Sequence, residues 1–368
     1  MALLLLTVTN DLTYDQRMQR ICRSLAGAGY MVELIGRALP HSIALEEQPY
    51  RQTRLRCRFS KGFLFYAEYN LRLWWYLMRM PCDAVCSVDL DTLPAGCLAT
   101  VLRRKKRLFD AHEYFTEVPE VTNRPAVQFF WETVARMCLP FYRHAYTVGP
   151  ALAGIFEKKY GIRFGVVRNM PPLSPPNNVT AEKPVILYQG ALNESRGIEQ
   201  TLEALQQLDN VELWLAGEGD LSETLRKKAT ELGVQTRVRF LGRVKPADLK
   251  ALTRQARLGL NVLENKGLSY YYSLANKFFD YVQAGVPVLT MDFPEYRALN
   301  SQHEVAVLLS TCTPEAIVHA IRYLRENPET YERLQQATIA AREVWHWEKE
   351  EQTLLECWRT LLNGEQIR

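Results

Sequence analysis

The sequence lacks any paired spacing among its cysteines. Eight are scattered over 368 residues, and Cys82 and Cys86 are separated by three residues, which fits neither a zinc site nor a redox pair. Reduced thiols of a cytoplasmic protein are the expectation. An uninterrupted apolar run of membrane length is also missing: the one candidate, residues 63–80, is broken by Glu68, Asn70, Arg72 and Arg79, and a charge at a bilayer centre costs roughly 3 kcal/mol. The opening MALLLLTVTN has no basic segment and too short an apolar run for a secretion signal, so it reads as a first buried strand. No nucleic-acid recognition motif accompanies the basic residues. What is present is 47% hydrophobic and 23% charged, an ordinary soluble composition on a chain long enough for two domains with separate cores.

The net charge of +4 is unevenly divided. Residues 1–170 carry 23 basic and 15 acidic side chains, a balance of +8, whereas the remainder has 22 against 26, a balance of −4. The excess sits in the run from Arg51 to Arg58, in Lys61, and in Arg103-Arg104-Lys105-Lys106-Arg107. Beside the first cluster lies FLFYAEYNLRLWWYLM. Two readings stand: a solvated basic face over a core helix, or a surface that lies on an anionic membrane with its tryptophans at headgroup level.

Hydrophobic periodicity predicts strands at 3–9 and 31–36 around a helix at 14–28, an irregular segment to Lys61, then helix 62–80, strand 84–89, helix 92–105, strand 107–112, helix 126–142, strand 145–148, helix 150–160 and strand 164–169. Four prolines within residues 170–178 mark the best linker in the chain. A second alternating series follows, with strands at 185–189, 211–216, 238–241, 258–262 and 305–309 between helices, and long helices at 314–326 and 328–362. The fold class is therefore α/β, with two Rossmann-like halves, and ligands of such sheets bind at the carboxyl ends of the strands, here expected in the cleft between the halves.

The stretch 268–290, LSYYYSLANKFFDYVQAGVPVLT, organises the second half. A polar and aromatic loop leads into a helix starting near Leu274, Ala284-Gly285 ends it, and residues 286–289 have the continuous apolar character of a buried parallel strand. Free amides at a helix start attract phosphate oxygens, and Asp280 can accept hydrogen bonds from a ribose diol, which together would hold a sugar nucleotide. A core helix with a solvated aspartate is the alternative. Gly190 to Gly197 forms a turn whose Arg196 can make two parallel bonds to a phosphate, although a surface arginine before an ordinary helix has the same appearance. Gly217 and Glu218 end the next strand, and Gly242-Arg243-Val244 repeats the pattern in a form suited to backbone contacts with a base. Strand ends that favour close backbone approach point to a ligand lying across the sheet.

The segments YQGALNESRGIEQTLEAL, LAGEGD, RFLGRV and SLANKFFDYVQAGVPV resemble family 4 of the retaining glycosyltransferases, which have the GT-B fold. In the first half VTNDLTYDQRMQRICRSL, VDLDTL, FDAHEYFTEVPE and VVRNMP look like the same family's acceptor domain, in a branch of bacterial surface-polysaccharide type. The resemblance implies an acceptor domain over 1–169, a Pro-rich linker over 170–183, a nucleotide-sugar domain over 184–345, and a C-terminal helix, 346–368, packing back on the first domain. It implies donor contacts by Gly190, Arg196, Gly217, Glu218, Gly242, Val244, Tyr272, Ser273, Leu274, Ala275, Asn276, Lys277 and Asp280. Arg196 stands where the family has a phosphate-binding Lys or Arg, Lys277 lies by the amides of Leu274, Ala275 and Asn276, and Asp280 replaces the ribose-binding Glu. Two departures stand out. Tyr272 occupies the position of the family's donor-sugar glutamate, and Ala191 that of a second basic residue.

In the first half the resemblance makes His112 catalytic, together with Arg196 and Lys277, and lets Glu113 and Asp110 orient it; a satisfied structural histidine is the alternative. Asn10, Asp11, Asp15 and Arg17 stand where the family's first loop meets the acceptor. Asp89 and Asp91 end a strand and can bind acceptor hydroxyls, though helix capping explains Asp91 equally well. The implied reaction is glycosyl transfer from a nucleotide-diphosphate sugar to a saccharide or lipid-linked hydroxyl with retention of configuration, without metal or cofactor, at the cytoplasmic face of the membrane. Asp89-Leu90-Asp91 has Asp-x-Asp spacing, but no such motif occurs in a suitable loop of the second half. A catalytically silent sugar-nucleotide binder, or a GT-B epimerase or phosphorylase, remains open.

Overall fold

The computed structural model describes residues 1–13, 15–40, 42–174 and 184–365, so most of the expected Pro-rich linker, and the predicted helix start at residue 14, lie outside the described residues. The chain divides into two compact units, Met1–Arg168 with Glu350–Arg368, and Asn169–Lys349.

In the first unit seven parallel strands stand in the order β3-β2-β1-β4-β5-β6-β7: β1 Leu3–Thr7, β2 Met31–Ala38, β3 Arg51–Arg56, β4 Ala84–Val88, β5 Lys106–Ala111, β6 Ala145–Thr147 and β7 Phe164–Val166. The strand order reverses between β1 and β4, the usual ligand-binding switch point of such sheets. Leu4, Leu5 and Leu6 are fully buried, which explains the continuous apolar run at the amino terminus. One layer of helices packs on this sheet through Tyr69, Leu73 and Leu77 of helix Gly62–Arg79, spaced at one helical turn and sealed against Leu5, Ile35 and Val85. On the final helix, Trp347–Asn363, Trp358 and Leu354 are fully buried, and Glu350 accepts from the Arg168 backbone amide at 2.7 Å.

The second unit repeats the plan with six parallel strands in the order β10-β9-β8-β11-β12-β13: β8 Val185–Gln189, β9 Glu212–Ala216, β10 Val238–Gly242, β11 Leu258–Asn261, β12 Val288–Met291 and β13 Ala306–Leu309. Its core joins Leu187, Leu213, Leu260 and Leu289 to Phe278, Tyr281 and Val282 of helix Asn276–Gln283.

Three local expectations are corrected. The basic segment Arg51–Arg56, expected to be irregular, is an edge strand paired in parallel with β2; its charges suit an edge, where they discourage pairing with another chain. The helix expected from Leu274 begins at Asn276 and is preceded by a separate turn of helix, Leu268–Tyr271. The long helix expected over 328–362 is two, Pro328–Arg342 and Trp347–Asn363, because Trp345 turns into the core of the second unit against Phe278, Phe279 and His303.

Candidate functional site

In the second unit the helix Asn276–Gln283 is pinned to the end of β8 by one buried side chain. Tyr281 lies over Gly259, where a Cβ would come within 2.3 Å of its ring. Its hydroxyl donates to Leu187 O (2.8 Å) and accepts from the Gln189 amide (3.2 Å). This anchoring sets Lys277 and Asp280, one turn and one residue earlier on the same helix, beside the last residues of β8. Asp280 Oδ2 accepts from Gln189 Nε2 at 2.9 Å, and the Thr253 hydroxyl donates to Gln189 Oε1 at 2.9 Å.

Glycine is required where β8 and β9 end. Gly217 lies against Gly190, so that a Cβ on Gly217 would stand 1.8 Å from the Gly190 carbonyl oxygen, and Gly190 itself has φ +132°. A Cβ on Gly190 would fall 3.7 Å from Lys277 Nζ, which places the lysine over this strand end. Lys277 Nζ lies 3.8 Å from the centroid of the Tyr188 ring, and the Arg196 guanidinium 4.8 Å from that of Tyr270. Two aromatic faces thus hold two cations that can repel each other. Burial, and then the charge of Arg196, push the Lys277 ammonium well below the usual lysine range. Among the described residues neither cation has a salt bridge, and Arg196 Nε, shielded from solvent, has no hydrogen-bond partner. Paired positive charge without a counter-carboxylate among the described residues is electrostatically suited to an anion.

The amides at the helix start are partly spoken for. Ala275 N–H donates to Tyr296 Oη at 3.0 Å, while those of Asn276 and Lys277 have no backbone or side-chain acceptor among the described residues. Leu274 is buried, the Ser273 hydroxyl donates to Tyr270 O at 2.8 Å, and Tyr272 stacks edge-on against Tyr271. Glu218 faces Arg226 at 3.6 Å, Gly242 lies 3.6 Å (as a Cβ) from that same carboxylate, and Val244 packs on the core. The structure therefore brings Gly190, Gly217, Arg196, Lys277 and Asp280 together, with Glu218 and Gly242 on the adjoining strand ends.

In the first unit β5 ends in Asp110-Ala111, and His112 follows. Its Nε2 lies 3.1 Å from Asp110 Oδ2, its Nδ1 3.7 Å from Asp89 Oδ2, and its backbone amide donates to Asp89 Oδ1 at 2.8 Å. Burial lowers the proton affinity of His112, but Asp110 and Asp89 outweigh it and the imidazole is held above its ordinary pKa. Asp110 is itself fully buried; Arg17 and His112 overcome the burial and hold its carboxyl below the usual range. Asp89 occupies a left-handed conformation, φ +54°, and burial drives its carboxyl upward. Burial likewise pushes Asp91 up to about 6, against a hydrogen bond from the Thr9 hydroxyl. Glu113 is exposed beside them, near enough to raise both.

The remaining first-unit residues fall elsewhere. Asp15 caps helix Gln16–Gly27 through the Met18 amide (3.0 Å) and accepts from Asn10 (2.9 Å). Asp11 accepts from Arg54, Ser42 and the Thr13 amide. Asp91 lies inside the first turn of helix Asp89–Leu102 and forms no cap. Arg17, expected to meet the acceptor, is buried, donating to Asp110 Oδ1 and Val167 O at 3.0 Å each. Gln189, Tyr188 and Thr253 were not among the expected site residues; the only sequence signal for Gln189 is that it is the last residue before Gly190. Among the described residues no group of three or more His, Cys, Asp or Glu is arranged to hold a metal ion.

Comparison with known proteins adds to this geometry. Two lipopolysaccharide core biosynthesis glycosyltransferases of Rhizobium meliloti (strain 1021) are similar in sequence: LpsE, 44% identical over 62 residues, 17% of this chain and 18% of that protein, and LpsD, 29% identical over 173 residues, 46% of this chain and 48% of that protein. The matches thus span half or less of these relatives. Among solved structures, the sucrose-phosphate synthase of Thermosynechococcus elongatus superposes with a TM-score of 0.82 at 16% identity, over 99% of this chain and all of that one. Anabaena HepE in complex with UDP-glucose gives 0.77 at 16%, over 98% and 100%. Both support a GT-B fold of two Rossmann-like parallel-sheet domains. Residues 171–341 match the family model described as glycosyl transferases group 1, so the second unit carries a domain of that group.

Proposed function

We propose that the protein is a nucleotide-sugar-dependent glycosyltransferase that retains anomeric configuration, acting in cell-surface polysaccharide or glycolipid synthesis. The observation that carries this reading is the pair Arg196 and Lys277, two adjacent cations with no carboxylate partner among the described residues, at glycine-lined strand ends. Departure of a nucleotide diphosphate is the costly step, because the sugar–phosphate bond must break toward an oxocarbenium-like centre. Preorganised donors on the diphosphate lower that barrier, and removing one typically costs roughly 3 kcal/mol. Arg196, Lys277 and the amides of Asn276 and Lys277 supply those donors, so the reading assigns diphosphate neutralisation to the chain itself rather than to a metal ion.

Asp280, held by Gln189 at 2.9 Å, is assigned the ribose diol. The acceptor hydroxyl is assigned to the first unit, with Asp89, Asp91, Glu113 and His112 as its contacts. The acceptor oxygen bonds to the anomeric carbon on the face the leaving group vacates, the carbon–oxygen bond to phosphate breaks, and the acceptor proton passes to a departing phosphate oxygen. HepE, solved with UDP-glucose, supports a nucleotide-sugar donor, and LpsD, a lipopolysaccharide core biosynthesis enzyme, supports a surface-glycan acceptor.

The test is a thermal-shift and turnover screen of purified protein against nucleotide-diphosphate sugars. A ligand at a hundred times its dissociation constant stabilises by about 2.7 kcal/mol. Turnover lost in Arg196→Ala and Lys277→Ala supports the reading; binding without turnover for any donor identifies a silent sugar-nucleotide binder, and no shift with any nucleotide diphosphate overturns the site.

A further inference from the structure

Two cysteines that stand 41 residues apart in the chain meet inside the first unit. Cys97 lies in the middle of helix Asp89–Leu102, and Cys138 is the last residue of helix Pro125–Cys138, which packs on it. Cys97 Sγ reaches Cys138 O at 3.8 Å, and the Cys138 thiol donates to the Cys97 sulfur. Neighbouring positions hold this meeting in place. Gly96 seats its helix against β4, where a Cβ would stand 2.0 Å from Ser87 Oγ. Ala135, one turn before Cys138, is fully buried, and small side chains let packed helices approach closely.

The contact makes the two thiols unequal. The hydrogen bond from Cys138 outweighs burial and, with the charge of Arg107 on β5, holds the Cys97 thiol below its ordinary pKa. Cys138 is raised by the same bond and then by burial. The proton that stays is therefore on Cys138, and the thiolate forms at Cys97. Burial raises the thiols of Cys57 and Cys312, the other partly exposed cysteines, the latter to about 12. Most buried cysteines are inert packing. A thiolate-forming sulfur in contact with a second thiol, itself partly exposed at a helix end, has instead the arrangement of an attacking and a resolving cysteine.

We propose that Cys97 and Cys138 form a reversible internal disulfide when the protein meets hydrogen peroxide. The Cys97 thiolate attacks a peroxide oxygen, the O–O bond breaks, and hydroxide leaves and takes up the proton the thiol gave, so that Cys97 becomes a sulfenic acid. The Cys138 sulfur then attacks the Cys97 sulfur, the S–O bond breaks, and the Cys138 proton leaves with the hydroxyl as water. Two thiols and one peroxide thus give one disulfide and two waters, and a dithiol reverses the change by exchange. Peroxide is small enough to reach Cys97, which is 6% exposed. The bond staples helix Pro125–Cys138 to the helix whose first turn carries Asp89 and Asp91. The inference does not depend on the transferase reading.

The test treats the reduced, folded full chain with peroxide at neutral pH, blocks the remaining thiols by alkylation and reads the peptides by mass spectrometry. The Cys97 and Cys138 peptides are expected joined, with two hydrogens lost, at least about tenfold faster than Cys57 or Cys312 is oxidised, and dithiothreitol restores both thiols. Cys138→Ser leaves a Cys97 sulfenic acid that dimedone traps, and Cys97→Ser slows oxidation of Cys138 at least about tenfold, each with the circular dichroism of the wild type. Absence of the cross-link, pairing with another cysteine or a second molecule, or oxidation of both residues no faster than that of Cys57 and Cys312 overturns the proposal. So does a cross-link that forms only in urea. The wild-type cross-link decides even if a serine variant does not fold.

Discussion

Arg17 Nη2 meets Asp110 Oδ1 at 3.0 Å, and both side chains are almost completely removed from solvent. The opposite oxygen of Asp110 faces His112 Nε2 at 3.1 Å. A partly exposed imidazole is thereby held by a carboxylate whose own charge is secured from behind by a guanidinium anchored on Val167 O. Arg17 acts through Asp110, as a positioning residue for His112.

Removing one partner of this buried pair leaves the other charge uncompensated. Arg17→Met is expected to destabilise the protein by roughly 3–5 kcal/mol, read by chemical denaturation. Asp110→Asn takes away the nearer of the two carboxylates that raise His112, so NMR titration should find the imidazole pKa lowered in that variant.

The carboxylates of this unit titrate in opposite senses. Asp110 has a depressed pKa, so its contribution is complete above the unfolded carboxyl value and lost as pH falls through the folded one. Asp91 is raised to about 6, so the folded state holds its proton longer and its contribution is lost as pH rises through that value. Asp91→Asn should therefore flatten the fall in stability between about pH 4 and 7, and an unchanged slope would assign that fall to other groups.

Lys277 is held below its ordinary pKa beside Arg196, and a bound diphosphate would reverse that balance. Binding of a nucleotide diphosphate should therefore raise the Lys277 pKa, which NMR titration of the lysine side chain with and without the ligand would read. In the ligand-free protein Lys277→Met relieves the repulsion, so its melting temperature should equal or exceed that of the wild type.

The close approach of two strand ends gives a steric prediction. Gly217→Ala puts a Cβ 1.8 Å from Gly190 O, a contact that only backbone movement relieves. A stability loss of about 1–3 kcal/mol is expected, accompanied by weakened nucleotide binding, read by calorimetric titration.

Asp280 supplies a discriminating readout. If it binds the ribose diol, Asp280→Ala should weaken binding of a ribonucleoside diphosphate while hardly affecting its 2′,3′-dideoxy analogue, because only the former loses hydrogen-bond partners.

The doubly wound plan was readable because parallel strands buried on both faces appear as continuous apolar runs, as at Leu4 to Leu6 and at residues 286–289, whose last two residues open β12. Arg51–Arg56 was not readable, since an edge strand needs no such run and its charges give no pattern of period two. Helical spacing runs on past Arg342, so only the tertiary contacts of Trp345 reveal the break. In the candidate site, Arg196 and Asp280 stood out because their residue types suit phosphate and ribose, and Lys277 through the family resemblance. Gln189 did not, for its role arises only from the packing that sets β8 beside helix Asn276–Gln283. The same holds for Arg17 and Asp110, 93 residues apart, which no local spacing connects.

The grouping of Glu350–Arg368 with Met1–Arg168 has a consequence for biogenesis. Trp358, Leu354 and Cys357 complete the packing of a unit whose other residues leave the ribosome first, while the intervening unit is continuous in sequence. At roughly 5–20 residues per second the first unit waits on the order of ten seconds or more for its last helix. During vectorial synthesis, therefore, the lobe that starts earliest is completed last, and a nascent-chain chaperone should find its unsealed flank around β7.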